Sequence, residues 1–196
     1  IIGAGHVGSH AGYALLSQGL VEEIVYIDID RKKAEAQALD LSDATAYLPS
    51  HAVVRAGDYT DAEDAQLLIV AAGPLPDMSK GQTRMDTLRQ TIEVMKDVTE
   101  GIRMSGFAGI ILSISNPADV IAHYLQHQLN WLPRQVLSTS TTLDSARLRR
   151  AISMAPSGSM GTSRMPADRV TMSASSSGVY SSSRRVTPNR SRRGAE

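Results

Sequence analysis

Three glycines near the start of the chain are spaced for binding a pyrophosphate. The run Gly3-Ala4-Gly5-His6-Val7-Gly8 follows the apolar pair Ile1-Ile2 and leads into a helical pattern. In such a run the first glycine makes a tight turn, the second lets the backbone approach a pyrophosphate, and the third allows close packing of helix on strand. The helix N-terminus adds unpaired N–H groups and the positive end of the helix dipole. The pattern predicts a dinucleotide site that includes Gly3, Gly5, Val7 and Gly8.

An acidic residue follows at the distance expected for a ribose ligand. Asp28 ends the next apolar run and lies 20 residues after Gly8. Its carboxylate can accept hydrogen bonds from both ribose hydroxyls and would repel a 2′-phosphate, which favours NAD. The alternative is a tight structural turn beside a surface Asp. The strand, the spacing and the acid together favour dinucleotide binding.

Strand and helix patterns alternate through residues 1–150 and would position these groups. Short apolar runs predict buried strands, and the segments between them carry helical spacing and helix-end signals such as Asp30 and Gly106. Continuous apolar strands separated by helices indicate a parallel sheet covered on both faces. We therefore predict an α/β fold, a Rossmann-type doubly wound sheet of about six strands. Because the chain opens on Ile1, we expect the first strand to be truncated.

Local signals predict several element boundaries. The first helix is expected over residues 6–20, with Gly19 as its end signal. The segment from Thr60 to Glu63 has the form of a capping box. Pro117 is expected at the first position of the helix that follows it.

Four further motifs occur in order along the same region. They are Ala71-Ala72-Gly73, Gly81-Gln82-Thr83-Arg84, Ser115-Asn116-Pro117 and Leu143-Asp144-Ser145-Ala146-Arg147. Together with the glycine run and Asp28, they resemble the lactate/malate dehydrogenase family, and most of all its L-lactate and L-2-hydroxyisocaproate branch. The resemblance covers residues 1–152, which would form an NAD-binding Rossmann domain and the first part of a substrate-binding helix. It assigns Ala72, Gly73 and Asn116 to the cofactor.

The resemblance implies hydride transfer between NAD and a 2-hydroxy or 2-oxo acid. Arg147 would hold the substrate carboxylate through its planar guanidinium. Arg84, on a loop that closes over the substrate, would polarise the carbonyl. Asp144 would orient a catalytic His. Asn116 would hydrogen-bond the substrate near the nicotinamide.

Each of these four residues also has a simpler interpretation. Asp144 and Arg147 are three positions apart on a predicted helix, so they could pair with each other. Arg84 could be a solvated residue at a helix start. Asn116 could be the N-cap before Pro117.

The loop at residues 74–80 bears on the choice of substrate. Malate-type members of the family place an Arg here to hold a second carboxylate, whereas this loop has no Arg before Arg84. Met78 or Ser79 falls near the discriminating position, and an uncharged residue there favours a monocarboxylic acid with an apolar side chain. Because Lys80 in the same loop is a cation, a dicarboxylic substrate, and hence malate dehydrogenase activity, is the alternative.

The catalytic His of the family is missing from its expected place. The resemblance puts it in a Gly-Glu-His-Gly motif well after Arg147, but the five histidines are His6, His10, His51, His123 and His127. We therefore expect these 196 residues to be inactive, and a non-catalytic NAD-binding remnant is the alternative reading. His123 and His127 have the i, i+4 spacing of metal ligands, but without a third ligand in the sequence we predict a solvated helix face and no metal.

The sequence changes character after Ile152. Residues 153–196 contain no Leu, Ile, Phe or Trp, and residues 151–196 carry seven Arg against only Asp168 and Glu196 as acids. Such a segment cannot bury enough apolar surface to offset the entropy of ordering, so residues 153–196 are predicted to be disordered. The composition is typical of a GC-rich gene read in the wrong frame, and we expect a frameshift near Ile152. A nucleic-acid-binding arm is the alternative, although the segment lacks interleaved aromatics apart from Tyr180.

Bulk composition narrows the remaining function classes. Charged residues make up 20% and hydrophobic residues 42%, there is no Cys, and no apolar run reaches the ~20 residues of a membrane helix. We expect a cytoplasmic protein with no membrane and no nucleic-acid partner, whose partner is a small 2-hydroxy or 2-oxo acid. The resemblance implies a homo-oligomer, but the sequence does not indicate which.

Overall fold

The protein is described from a computed structural model that covers residues 1–49, 51–83 and 85–154. Arg84 and residues 155–196 lie outside the described residues, and so does the side chain of Met78. Ser153 and Met154 are helical, so the prediction that disorder begins at residue 153 was wrong for these two residues. From Ala155 onward, the predicted disorder stays a prediction, as does the predicted frameshift near Ile152.

Five α-helices and five strands make up most of the described chain. The helices are α1 (His6–Ser17), α2 (Arg31–Ala44), α3 (Leu88–Ser105), α4 (Ala118–Leu129) and α5 (Thr142–Met154). The strands are β1 (Glu23–Tyr26), β2 (Val53–Ala56), β3 (Leu67–Val70), β4 (Ile110–Ser113) and β5 (Val136–Ser138). Short 3₁₀ helices occupy Thr45–Tyr47, Tyr59–Ala62, Met78–Lys80 and Pro133–Gln135.

The sheet is parallel, and Ile2 lies at its centre. Strand β1 pairs with β2, and β4 pairs with both β3 and β5, all in parallel. Ile2 forms parallel bridges to Ile27 on one side and to Val70 on the other. The resulting order is β2-β1-Ile2-β3-β4-β5, in which Ile2 occupies the position of a central strand. This order reverses beside Ile2, as in a doubly wound Rossmann sheet, and confirms the predicted fold class.

Side chains alternate across β1 and divide the core between the two faces of the sheet. Ile24 and Tyr26 pack in a cluster with residues of α1 and α2. Val25 and Ile27 pack in a second cluster with residues of α3 and α4. Both faces are therefore covered, as the continuous apolar strands predicted.

The signals at Asp30 and Gly106 are confirmed as the N-cap of α2 and the C-cap of α3, and three other boundary predictions were wrong. Helix α1 ends at Ser17, so the prediction that it reaches residue 20 was too long. The capping box is formed by Asp58 and Asp61, not by Thr60 and Glu63, because Asp58 accepts from Thr60 N–H while Asp61 accepts from Asp58 N–H. Pro117 is the N-cap of α4 with an extended ψ of 117°, not its first helical residue.

Candidate dinucleotide-binding site

The glycine run forms the turn between the central strand position and α1. Gly3 has a φ of +97°, and a Cβ there would lie 2.8 Å from the backbone of Ala71 and Ala72. A Cβ on Gly8 would lie 1.9 Å from the carbonyl oxygen of Gly3. Side chains are therefore excluded from both positions, by the left-handed backbone at Gly3 and by helix–strand contact at Gly8.

Gly5 differs from the other two glycines because space is open beside it. A Cβ on Gly5 would meet only the Nζ of Lys33, at 3.7 Å. Gly5 is also the N-cap of α1, and no side chain caps this helix end. Backbone N–H groups at an uncapped helix start, next to a position without a side chain, are suited to a phosphate group.

Asp28 is held in place by the same turn. Its Oδ2 accepts a hydrogen bond from Ala4 N–H at 2.6 Å, and its Oδ1 accepts from Asp30 N–H at 3.0 Å. Each carboxylate oxygen keeps further accepting capacity. The carboxylate is thus fixed at the carboxyl end of β1, where Rossmann sheets bind ligands.

A cavity of about 560 Å³ opens above the turn. Its lining includes Gly3, Gly5 and Asp28 from the predicted site, and Ala72 and Gly73 from the end of β3. We call it the Asp28 cavity.

The sequence alone did not identify several other residues of the Asp28 cavity. They are Ile29, Arg31, Lys33, Gly57, Asp58, Tyr59, Val94, Asp97 and Val98. On α3, the i, i+3, i+4 spacing of Val94, Asp97 and Val98 was the available signal, since it puts a carboxylate on the same face as two valines. Nothing in the sequence indicates that this face lies opposite Asp28.

A second cavity of about 510 Å³ also includes the segment Ala71–Gly73 in its lining. It is lined by Val7 and Asn116, which the sequence predicted, and by residues of the loop after β3. We call it the Asn116 cavity. Because Ala71, Ala72 and Gly73 line both cavities, one extended ligand could pass from one to the other beside them.

Ser115, which follows β4, connects its own segment to the end of β3 by hydrogen bonding. Its Oγ lies 2.6 Å from the carbonyl oxygen of Ala72 and 3.2 Å from that of Val70, and its side chain is buried. The hydroxyl donates a hydrogen bond from the segment after β4 to the segment after β3, and so holds Ala72 near Asn116.

Asn116 is available to a ligand. Its side chain is exposed and has no hydrogen-bond partner within the described residues. Pro117, not Asn116, is the N-cap of α4, so the simpler interpretation of Asn116 as a cap does not hold.

Asp144 and Arg147 lie on α5 and line neither cavity. Arg147 Nη1 donates to Asp144 Oδ1 at 3.3 Å, and the two side chains are 67% and 76% exposed. The simpler interpretation, in which the two residues pair with each other, is the arrangement present here. Their roles as carboxylate clamp and orienting acid stay predictions.

Lys80, the candidate for holding a second carboxylate, already has an anionic partner. Its Nζ lies 3.0 Å from Asp77 Oδ2. Hydrogen bonds from the Ser79 hydroxyl and from Lys80 lower the pKa of Asp77, so this partner stays ionised. Lys80 does not line the Asn116 cavity.

Other predicted features can be located only within residues 1–49, 51–83 and 85–154. In these ranges no group of three or more His, Asp or Glu side chains is arranged to hold a metal ion. His123 and His127 are both exposed on α4. No helix in the same ranges is long and apolar enough to cross a membrane.

Comparison with known proteins decides the family. Residues 1–138 match the family described as lactate/malate dehydrogenase, NAD binding domain. The chain belongs to the lactate/malate dehydrogenase family. The matched NAD-binding domain therefore includes the glycine turn, Asp28, the segment Ala71–Gly73 after β3 and Asn116 after β4.

Individual relatives agree with this assignment. L-lactate dehydrogenase 3 of Bacillus cereus is 43% identical over 154 residues, which are 78% of this chain and 48% of that protein. The L-lactate dehydrogenase of Mycoplasma mycoides is 42% identical over 153 residues, again 78% of this chain and 48% of that protein. The chain thus spans about half the length of the relatives it matches.

Solved structures show the same relationship. The lactate dehydrogenase MGS-M5 from a deep-sea metagenome library has a TM-score of 0.71 at 41% identity, covering 78% of this chain and 48% of that one. A malate dehydrogenase from Archaeoglobus fulgidus in complex with NADH has a TM-score of 0.73 at 28% identity, covering 79% of this chain and 52% of that one.

Proposed function

We propose that this chain carries the NAD-binding part of a dehydrogenase that acts on 2-hydroxy and 2-oxo monocarboxylic acids of the L-lactate type. The observation that carries the proposal is the pair of cavities that share Ala71–Gly73 in their linings, one containing Asp28 and the other Asn116. Bound NAD would supply the hydride acceptor or donor. Asp28 would hold the ribose, and the open position at Gly5 would admit the pyrophosphate.

Substrate choice is proposed from the loop after β3. The described loop residues that line the Asn116 cavity are all uncharged: Pro74, Leu75, Pro76, Gln82, Thr83 and Thr87. The charge of Lys80 is partly neutralised by Asp77. Both features support a monocarboxylic acid over a dicarboxylic one. The relatives named L-lactate dehydrogenase favour the same choice.

We also propose that the 196 residues by themselves bind NAD without turning over a substrate. Arg147 and Asp144 pair with each other on an exposed helix, and no His follows His127 in the sequence. A general base is therefore missing from the position where the resemblance requires one. A cytoplasmic location and assembly into a homo-oligomer stay predictions.

Cofactor binding is tested by calorimetric titration of the purified chain with NADH and NADPH. We expect NADH to bind more tightly than NADPH. Asp28→Ala should weaken NADH binding about tenfold or more, because a hydrogen bond to a charged group contributes ~1.5–3 kcal/mol. The same substitution should also reduce the difference between the affinities for NADH and NADPH. Asp40→Ala is the matched control, since Asp40 is an exposed residue of α2 that lines neither cavity.

Equal NADH affinities of the Asp28→Ala and Asp40→Ala variants would contradict the proposal that Asp28 binds the ribose. Turnover and substrate choice are measured separately, with NADH and either pyruvate or oxaloacetate. We expect no oxidation of NADH with either acid, and pyruvate should bind the NADH complex at least as tightly as oxaloacetate. Oxidation at ordinary enzyme rates would contradict the proposed inactivity.

A further inference from the structure

A carboxylate on α3 has no part in the function proposed above. Asp97 lines the Asp28 cavity together with Val94 and Val98. The three residues lie on one face of α3 because they are separated by three and four positions. This face supplies the apolar wall of the cavity and a single negative charge within it.

Tyr59 shows that Asp97 and Asp28 border the same space. The Tyr59 ring lies against α3, because a Cβ on Gly101 would be 2.6 Å from its ring atoms. The pKa of Tyr59 is raised to about 12, mainly by burial and to a smaller extent by the negative charges of Asp97 and Asp28. Both carboxylates therefore lie within electrostatic reach of one ring in the cavity wall.

The other two carboxylates of the cavity already accept hydrogen bonds from the protein. Asp28 accepts from Ala4 and Asp30, and Asp58 Oδ1 accepts from the N–H and the hydroxyl of Thr60. Asp97 has no hydrogen bond or ion pair within the described residues. Among the three carboxylates of this cavity, Asp97 is therefore the one to which no described residue donates a hydrogen bond.

Adenine has the complementary chemistry. With the ribose at Asp28, the base would lie along the apolar wall formed by Ile29, Val94 and Val98. The exocyclic amine of adenine donates hydrogen bonds, whereas hypoxanthine has a carbonyl oxygen at the same position, which a carboxylate repels. We propose that Asp97 accepts a hydrogen bond from the exocyclic amine of adenine and selects an adenine dinucleotide over its hypoxanthine analogue. The inference rests on NAD binding as proposed above.

The test compares NADH with reduced nicotinamide hypoxanthine dinucleotide, both titrated into the full chain by calorimetry. We expect NADH to bind about fivefold to tenfold more tightly, since Asp97 is exposed and water weakens a charge-assisted hydrogen bond. Asp97→Ala should bring the ratio of the two affinities to about one. Asp97→Asn should bring it to one or invert it, because an amide can donate to the hypoxanthine carbonyl.

Asp40→Asn is the matched control and should keep the ratio of the unmodified chain. Thermal unfolding of each variant checks that the fold is retained. Equal binding of the two dinucleotides by the unmodified chain, or the unmodified chain's affinity ratio retained in both Asp97 variants, would overturn the role of Asp97 while leaving NAD binding intact. Failure of the unmodified chain to bind either dinucleotide would instead overturn the proposed function, and this inference with it.

Discussion

The region proposed to bind the cofactor, around Gly3 and Asp28, and the region proposed to bind the substrate, around Asp144 and Arg147, differ in how many contacts fix their side chains. We call them the cofactor end and the substrate end. At the cofactor end, Asp28 is fixed by two backbone N–H groups, and the turn at Gly3 and Gly8 leaves no room for a side chain. At the substrate end, Asp144 and Arg147 contact each other on an exposed helix.

The difference shows which functions depend only on the Rossmann sheet. Parallel strands place Gly3, Asp28 and Ala72 side by side at their carboxyl ends, so the sheet assembles this part of the proposed cofactor site, while α3 supplies another part of the cavity wall. Helix α5 has no buried residue among those whose burial is described. For Arg147 to bind a substrate carboxylate, further groups would have to cover α5, and the described residues do not supply them.

The largest expected effect is on the turn at the cofactor end. Gly8→Ala puts a methyl group 1.9 Å from the carbonyl oxygen of Gly3, and we expect it to lower the free energy of unfolding by about 3 kcal/mol. Gly5→Ala should change that free energy by less than about 1 kcal/mol, yet weaken NADH binding, because its methyl group occupies the phosphate approach. Urea unfolding and NADH titration of both variants make the comparison. Equal stability of the two variants would show that the turn is less tightly packed than described.

A smaller effect is expected at the cavity wall that carries Tyr59. Hydrogen bonds from Asp58 N–H and from Arg55 lower the pKa of Asp61. A depressed folded-state pKa means that the ionised carboxylate stabilises the fold above its ordinary pKa, and that this stabilisation is lost as pH falls through the folded-state value.

Asp61→Asn should therefore cost about 1 kcal/mol near neutral pH, as for loss of a helix cap. The cost should shrink toward zero in acid, where the unmodified carboxylate is protonated. Urea unfolding over a pH series measures it, with Asp40→Asn as the control. A cost that is the same at all pH values would contradict the assignment to the charge of Asp61.

The smallest effect is expected at the substrate end. Because the Asp144–Arg147 pair is exposed, replacing either residue by Ala should change the free energy of unfolding by less than about 0.5 kcal/mol. A double-mutant cycle should give a coupling energy of similar size. A coupling well above 1 kcal/mol would show that this pair is as firmly held as Asp28, and the contrast between the two ends would fail.

Boundary errors in the sequence interpretation have a common cause. Asp58 and Thr60 are both good capping residues, and the choice between them depends on Asp61 reaching back to the Asp58 N–H. Likewise, Pro117 is compatible with both the N-cap and the first helical turn. Local patterns indicate that an element starts, but competing contacts select the residue.

The amino-acid sequence determined the alternation of strands and helices, the glycine turn and the acid at the end of β1. These features depend on short-range periodicity and on steric limits within a few residues. Only the tertiary structure decided that Ile2 lies between β1 and β3 and that Asp97 and Tyr59 line the same cavity as Asp28. The physical reason is that a parallel sheet brings distant strand ends together, and which side chains then meet depends on packing that no local pattern records.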